Sequence, residues 1–146
     1  MIPAMLDCGQ IEVRVGEKVI AVVSAFNGET DRLLRLAQDQ VNDPDLGCVA
    51  ALAETGELYV AARLGLALDR AGVSVHVLHA GAIGLQAEGS LLDATPTNLD
   101  TDAVNTALQT ASVLVVPGFV GRTAAGRTCL LGRGGSDLSA VAIAAA

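Results

Sequence analysis

Aromatic side chains are nearly missing from this sequence: Phe26, Tyr59 and Phe119 are all it has, and there is no tryptophan. Because 51% of the residues are nonetheless hydrophobic, the core has to be aliphatic, built from valine, leucine, isoleucine and alanine. Lysine is scarcer still, with Lys18 alone, and sixteen acidic residues against nine basic ones leave a net charge of -7. That balance offers no basic surface to a polyanion and excludes nucleic acid as an expected partner. The three cysteines, Cys8, Cys48 and Cys129, are far apart and form no C-x-x-C pair. The spacing argues against both a disulfide framework and a zinc site, so no metal ligands are expected and a reducing, cytoplasmic setting fits. No basic-then-apolar leader opens the chain, and the long apolar region 49–68 is broken by Glu54, Glu57 and Arg63, which excludes a membrane span.

At 146 residues the chain is one domain by length. Residues 1–10 show no clear period. Alternation over 11–15 predicts a half-exposed strand, Gly16-Glu17 a turn, and 18–25 a buried strand, so that a short hairpin or a lead-in strand is expected here. A polar loop at 26–30 leads into a helix with Leu33, Leu34, Leu36 and Ala37 on one side. A turn-rich linker follows at 41–47, then a helix over 49–71 ending at Gly72. Residues 73–78 read as a strand, 81–96 as loop with one short strand, and Thr101-Asp102 as the cap of a helix reaching 111. A buried strand at 113–116 and a tight loop at 122–126 complete the series. Strands alternating with helices predict a three-layer α/β/α sandwich with a mostly parallel sheet. His76 and His79, three apart on a strand, are poorly placed as a metal pair and read as structural or surface histidines.

Chemistry concentrates at Leu131-Gly132-Arg133-Gly134-Gly135-Ser136-Asp137, ahead of an apolar run that reads as a helix. The glycines permit a sharp turn, and Ser136-Asp137 reads as the helix start. Free backbone N–H groups there, beside the Arg133 guanidinium, suit a carboxylate or phosphate. Ser24 and Thr30 flank the loop at the carboxyl end of a strand, where open α/β sheets place their ligands; on pattern alone, Thr30 or Asn27 serves equally well as a helix cap. Glu57 projects from an apolar helix face among Ala53, Val60, Ala61 and Leu64, so its carboxylate needs a cation or a solvated edge. Glu54 has a similar setting, and the pattern does not choose between the two.

These blocks carry a family resemblance. Gly132-Arg133-Gly134-Gly135-Ser136-Asp137, with Pro117-Gly118-Phe119-Val120-Gly121 and Gly126-Arg127-Thr128 before it, resembles the substrate-binding segment of aspartate kinases, members of the amino acid kinase family. Val22-Val23-Ser24-Ala25-Phe26-Asn27-Gly28-Glu29-Thr30-Asp31 and Thr55-Gly56-Glu57-Leu58 agree in order and spacing. The resemblance implies a partial amino acid kinase fold and an acceptor pocket formed by Ser24, Thr30, Glu57, Phe119, Arg133, Gly134, Gly135 and Ser136. In it Glu57 faces the substrate's amino group, Phe119 forms a wall, and Asp137 has a catalytic role in orienting a lysine or the helix terminus.

Family parts are missing too. Residues 1–10 stand where aspartate kinases carry a Lys-Phe-Gly-Gly-Thr-Ser loop, and Lys18 is too close to the second block to replace its lysine. Losing one preorganised transition-state donor costs about 100- to 1,000-fold in rate. The expectation is therefore a single, truncated kinase-like domain over 1–146, without the nucleotide-binding half. Its implied reaction is phosphorylation of the aspartate side-chain carboxylate by Mg-ATP, the first step toward lysine, threonine and methionine, with a second copy or a companion chain completing the fold. Two other readings stand beside it: a non-catalytic module that binds an amino acid or a protein partner, and a kinase acting on another acceptor such as carbamate or glutamate.

Overall fold

The computed structural model describes residues 2–6 and 9–146, with side chains from residue 13 onward. It opens with an antiparallel hairpin of β1 (Ile2–Leu6) and β2 (Gly9–Val13). The stretch at 1–10 that lacks a period is thus largely strand, and the strand expected at 11–15 lies earlier, stopping short of a fully exposed Val15. Cys8 lies outside the described residues; Cys48 and Cys129 are free thiols.

The central sheet is parallel, in the order β3 (Val19–Val23), β7 (Val113–Pro117), β4 (Val75–Val77). Every residue of β7 is buried, because a middle parallel strand is covered on both faces and needs an unbroken apolar run. β3 was expected to be buried but is only half so, since among the described residues it pairs with β7 alone, at the edge of the sheet. One face of the sheet, with Val113 and Val115, packs on Ala61, Leu64 and Leu68 of α2 (Leu46–Arg70). Leu114, Val116 and Ile20 face the other way, toward Val104 and Leu108 of α3 (Thr101–Thr110) and Ile143 of α4 (Gly135–Ala145). Helices on both faces make the three-layer α/β/α arrangement expected from the alternation of elements. Asp45 starts α2 by accepting the Cys48 N–H at 3.0 Å, and α1 (Glu29–Gln40) packs against the outside of α2.

Two local expectations fail. Residues 81–96, read as loop with one strand, contain β5 (Gln86–Ser90) and most of β6 (Asp93–Asn98). These pair antiparallel and join β8 (Val120–Arg122) and β9 (Thr128–Leu130) in a four-stranded mixed sheet, β6-β5-β8-β9. Gly89, Pro96 and many polar residues hide these strands from a hydrophobicity pattern, and most of their residues are exposed. The cap of α3 is Asp100, which accepts the Ala103 N–H at 2.9 Å, rather than Thr101 or Asp102.

Candidate functional site

Parallel pairing of β3 with β7 in the register Val23↔Pro117 brings two strand ends together, closed by a Gly118 N–H bond to the Val23 carbonyl at 2.7 Å. From one end the chain passes through Ser24 and Ala25 into α1; from the other it passes through Gly118 and Phe119 into β8. The first turn of α4 lies across both. It sits so close that a Cβ on Gly118 would stand 2.9 Å from Ser136, and a Cβ on Gly135 would overlap the Phe119 ring. Only glycine allows this approach.

Between these segments lies a cleft of about 340 Å³. Ser24, Thr30, Glu57, Phe119, Arg133, Gly134, Gly135, Ser136 and Asp137, every site residue expected from the sequence, line it together with Ala25 and Gly132. The residues come from five parts of the chain, and the fold gathers them at the carboxyl edge of a parallel sheet.

The start of α4 differs from the expected Ser-Asp cap. Gly134 is the N-cap, in the left-handed region at φ 75°, and no side chain caps the helix. Ser136 and Asp137 fall inside the first turn, and Ser136 accepts a 2.6 Å hydrogen bond from the Ser24 hydroxyl. The first-turn N–H groups therefore have no capping side chain to satisfy them, an arrangement that suits an anion. Arg133 is exposed beside them, and among the described residues it makes no ion pair. Across the cleft, α1 also begins at a left-handed glycine, Gly28, so neither Thr30 nor Asn27 caps it.

The structure separates the two α2 carboxylates that the residue pattern alone left equivalent, and it does so in favour of Glu57, the one the family resemblance implies. Glu54 is bonded at 2.7 Å to Arg122, and the Thr128 hydroxyl donates to its other oxygen at 3.3 Å. Glu57 is only 2% exposed, and its one hydrogen bond is from the Ala25 N–H at 2.7 Å. Among the described residues no cation pairs with it. Burial pushes its carboxyl up to about 7, against the smaller opposing pull of the Ala25 N–H. Gly56 packs closely beside this contact: a Cβ there would meet Leu33, Ala25 and Glu29 at 3.2–3.3 Å, so a larger residue would need α1 and its leading loop to give by a few tenths of an ångström. A cleft lined by a buried carboxylate and by a guanidinium beside open N–H donors can receive a ligand carrying both an ammonium and a carboxylate. Arg63, a conceivable partner for the α2 carboxylates, instead lies over the rings of Phe26 and Tyr59 at 5.5 and 5.8 Å.

A family model for the amino acid kinase family matches residues 4–146. The chain belongs to the amino acid kinase family. It is 37% identical over 134 residues to the aspartokinase of Helicobacter pylori strain 26695, covering 92% of this chain and 33% of that protein. The aspartokinase of Geobacillus stearothermophilus is 37% identical over 135 residues, with the same coverage. The chain thus spans about a third of the length of these kinase relatives. Among solved structures, E. coli aspartokinase III in complex with aspartate and ADP superposes with a TM-score of 0.75 at 20% identity, over 86% of this chain and 39% of that one. Aspartate kinase from Synechocystis gives a TM-score of 0.66 at 35% identity, over 90% of this chain and 21% of that one. The resemblance to aspartate kinases and the partial amino acid kinase fold both hold.

The residues present do not fit Mg-ATP as well as they fit an amino acid. Lys18 lies just before β3, at the end of the sheet opposite the cleft, and its Nζ donates to the Ala111 carbonyl at 2.8 Å. Among the described residues no cluster of three or more His, Cys, Asp or Glu could hold a metal ion. His79 Nδ1 accepts the Ala82 N–H at 3.2 Å, a structural bond. No described helix is long and apolar enough to cross a membrane.

Sequence reasoning missed Ser139 and Arg122. Ser139 is the only polar residue in the run 138–146, and it is wholly buried, accepting the Phe119 N–H at 3.1 Å and donating to the Gly135 carbonyl at 3.0 Å. A lone hydroxyl in an apolar helix was its signal. Arg122 carried none, since only the β8–β9 hairpin brings it to Glu54.

Proposed function

We propose that this chain is the acceptor-binding part of an aspartate kinase, and that its cleft holds aspartate. The observation that carries this reading is Glu57: among the described residues a buried carboxylate without a cation, 32 residues from its one N–H donor, lining the same cleft as Arg133. In the pose this suggests, the aspartate ammonium meets Glu57. One carboxylate takes Arg133 and the first-turn N–H groups of α4, while Ser24, Thr30 and Ser136 supply neutral contacts and Phe119 closes a side. Asp137, exposed in that same turn, orients the helix terminus or a lysine supplied from outside the described residues. An acceptor carboxylate is already ionised at pH 7 and needs no general base, so the work of these residues is placement and charge matching.

The reaction so served is transfer of a phosphoryl group from Mg-ATP to the aspartate side chain, in amino-acid biosynthesis leading to lysine, threonine and methionine, in the cytoplasm. The nucleotide's contacts come from outside the described residues. A second reading is favoured by Lys18, which is held far from the cleft: a non-catalytic module that keeps the amino-acid pocket or binds a protein partner. ADP release with Mg-ATP, with and without aspartate, separates them. Aspartate-dependent turnover that is lost in Arg133→Ala supports the kinase. Aspartate binding without turnover supports the module, and undiminished affinity in Arg133→Ala removes the case for this pocket.

A further inference from the structure

The pocket wall at Phe119 is held in a conformation that non-glycine residues rarely adopt. Among the described residues Phe119 is the one non-glycine with positive φ, at 67°. Left-handed backbone at a bulky residue is strained and persists only where its surroundings over-determine it. Three contacts do so here. The Phe119 N–H donates to Ser139 Oγ at 3.1 Å, its carbonyl accepts the Leu131 N–H at 2.8 Å, and its ring and Cα press on Gly135. Ser139 passes the constraint on, because its hydroxyl also donates to the Gly135 carbonyl one helical turn back, at 3.0 Å. Since α4 has no side-chain cap, its first turn is fixed from outside, by the Ser24–Ser136 bond at one point and the Ser139 clasp at another.

We propose that Ser139 is a positioning residue for the acceptor pocket: it locks Phe119 and the first turn of α4 together, so that the pocket wall and the Arg133 side are set as one unit. The inference rests on the aspartate-pocket reading above. Ser139 is wholly buried and does not line the cleft, so it acts only through Phe119 and Gly135. Removing the hydroxyl leaves the Phe119 N–H without its acceptor and frees the backbone to leave the left-handed region.

The test is aspartate affinity by calorimetry in wild type, Ser139→Ala and Val104→Ala, each well below its own melting temperature. Val104 is a buried α3 residue away from the cleft and serves as the destabilised control. The expected result is at least a tenfold loss of affinity in Ser139→Ala and none in Val104→Ala. Amide exchange supplies a second readout: aspartate should slow exchange at Phe119 and in the first turn of α4 together in wild type, and no longer do so jointly in Ser139→Ala. If Ser139→Ala does not fold, the wild-type exchange pattern decides; protection of the α4 turn without Phe119 overturns the proposal. Wild-type binding that Ser139→Ala matches overturns it too and leaves the pocket standing, whereas no binding by wild type removes the pocket and this inference with it.

Discussion

Glu54 and Glu57 are one turn apart on α2, both buried among small apolar neighbours, and the molecule treats them in opposite ways. Beneath Glu54 the β8–β9 hairpin presents Arg122 and Thr128, and the carboxylate is neutralised within the fold. Beside Glu57 the strand ends open into a cleft, and among the described residues a single backbone N–H is its only hydrogen-bond partner. Burial of like groups therefore has two meanings. A charge paired inside the fold contributes to the structure's own integrity, while one left unpaired beside a cavity costs stability and holds it in reserve for a ligand.

The contrast can be broken from either side. The largest effect is expected at Arg122→Ala, which strands Glu54 in the interior and should lower unfolding free energy in urea by about 3 to 4 kcal/mol, with aspartate affinity unchanged; an equal loss of affinity would mean the two regions are not separate. Glu57→Gln should do the reverse, weakening aspartate binding about 100-fold while leaving the protein more stable than wild type above pH 7. A stability loss there would show that Glu57 is structural after all. Next comes pH. Because the Glu57 carboxyl sits above its ordinary 4.5, at about 7, the native state holds a proton that the unfolded chain has released, and stability falls as pH rises between those values. Wild type should lose roughly 2 kcal/mol between pH 5 and pH 7 relative to Glu57→Gln, in paired denaturation curves. The smallest effect belongs to Thr128→Val, which deletes one long hydroxyl contact to Glu54 and should cost less than about 1 kcal/mol, with no change in binding.

The layers of the fold were legible because they rest on long apolar patterns: the run of β7, the helical spacing of α2, the alternation of strand and helix. The residues of the cleft were legible through the family resemblance, carried by blocks of glycine, hydroxyl and charge at the ends of those elements; their pattern alone left Glu57, Thr30 and Phe119 open. What the sequence hid depended on contacts between distant segments. β5 and β6 are short, polar strands stabilised by each other and by β8, so no local period marks them. The residue pattern alone did not choose Glu57 over Glu54; the family resemblance did, and the physical reason, Arg122 landing on Glu54, comes from 68 residues beyond it. The cap of α4 moved from Ser136 to Gly134 because the left-handed turn, set by the packing of Gly135 on Phe119, already begins the helix two residues earlier.

If Glu57 receives a ligand ammonium, aspartate binding competes with its proton, and titrating aspartate into wild type and Glu57→Gln at pH 6 and pH 8 reads that competition. At pH 6 the ligand has to displace a proton from Glu57; at pH 8 the carboxylate is already bare. Wild type should bind roughly tenfold more tightly at pH 8 and release a proton on binding at pH 6, while Glu57→Gln binds weakly and equally at both. Affinity that is the same at both pH values in wild type, and unchanged in Glu57→Gln, would mean that Glu57 does not receive the ligand's ammonium.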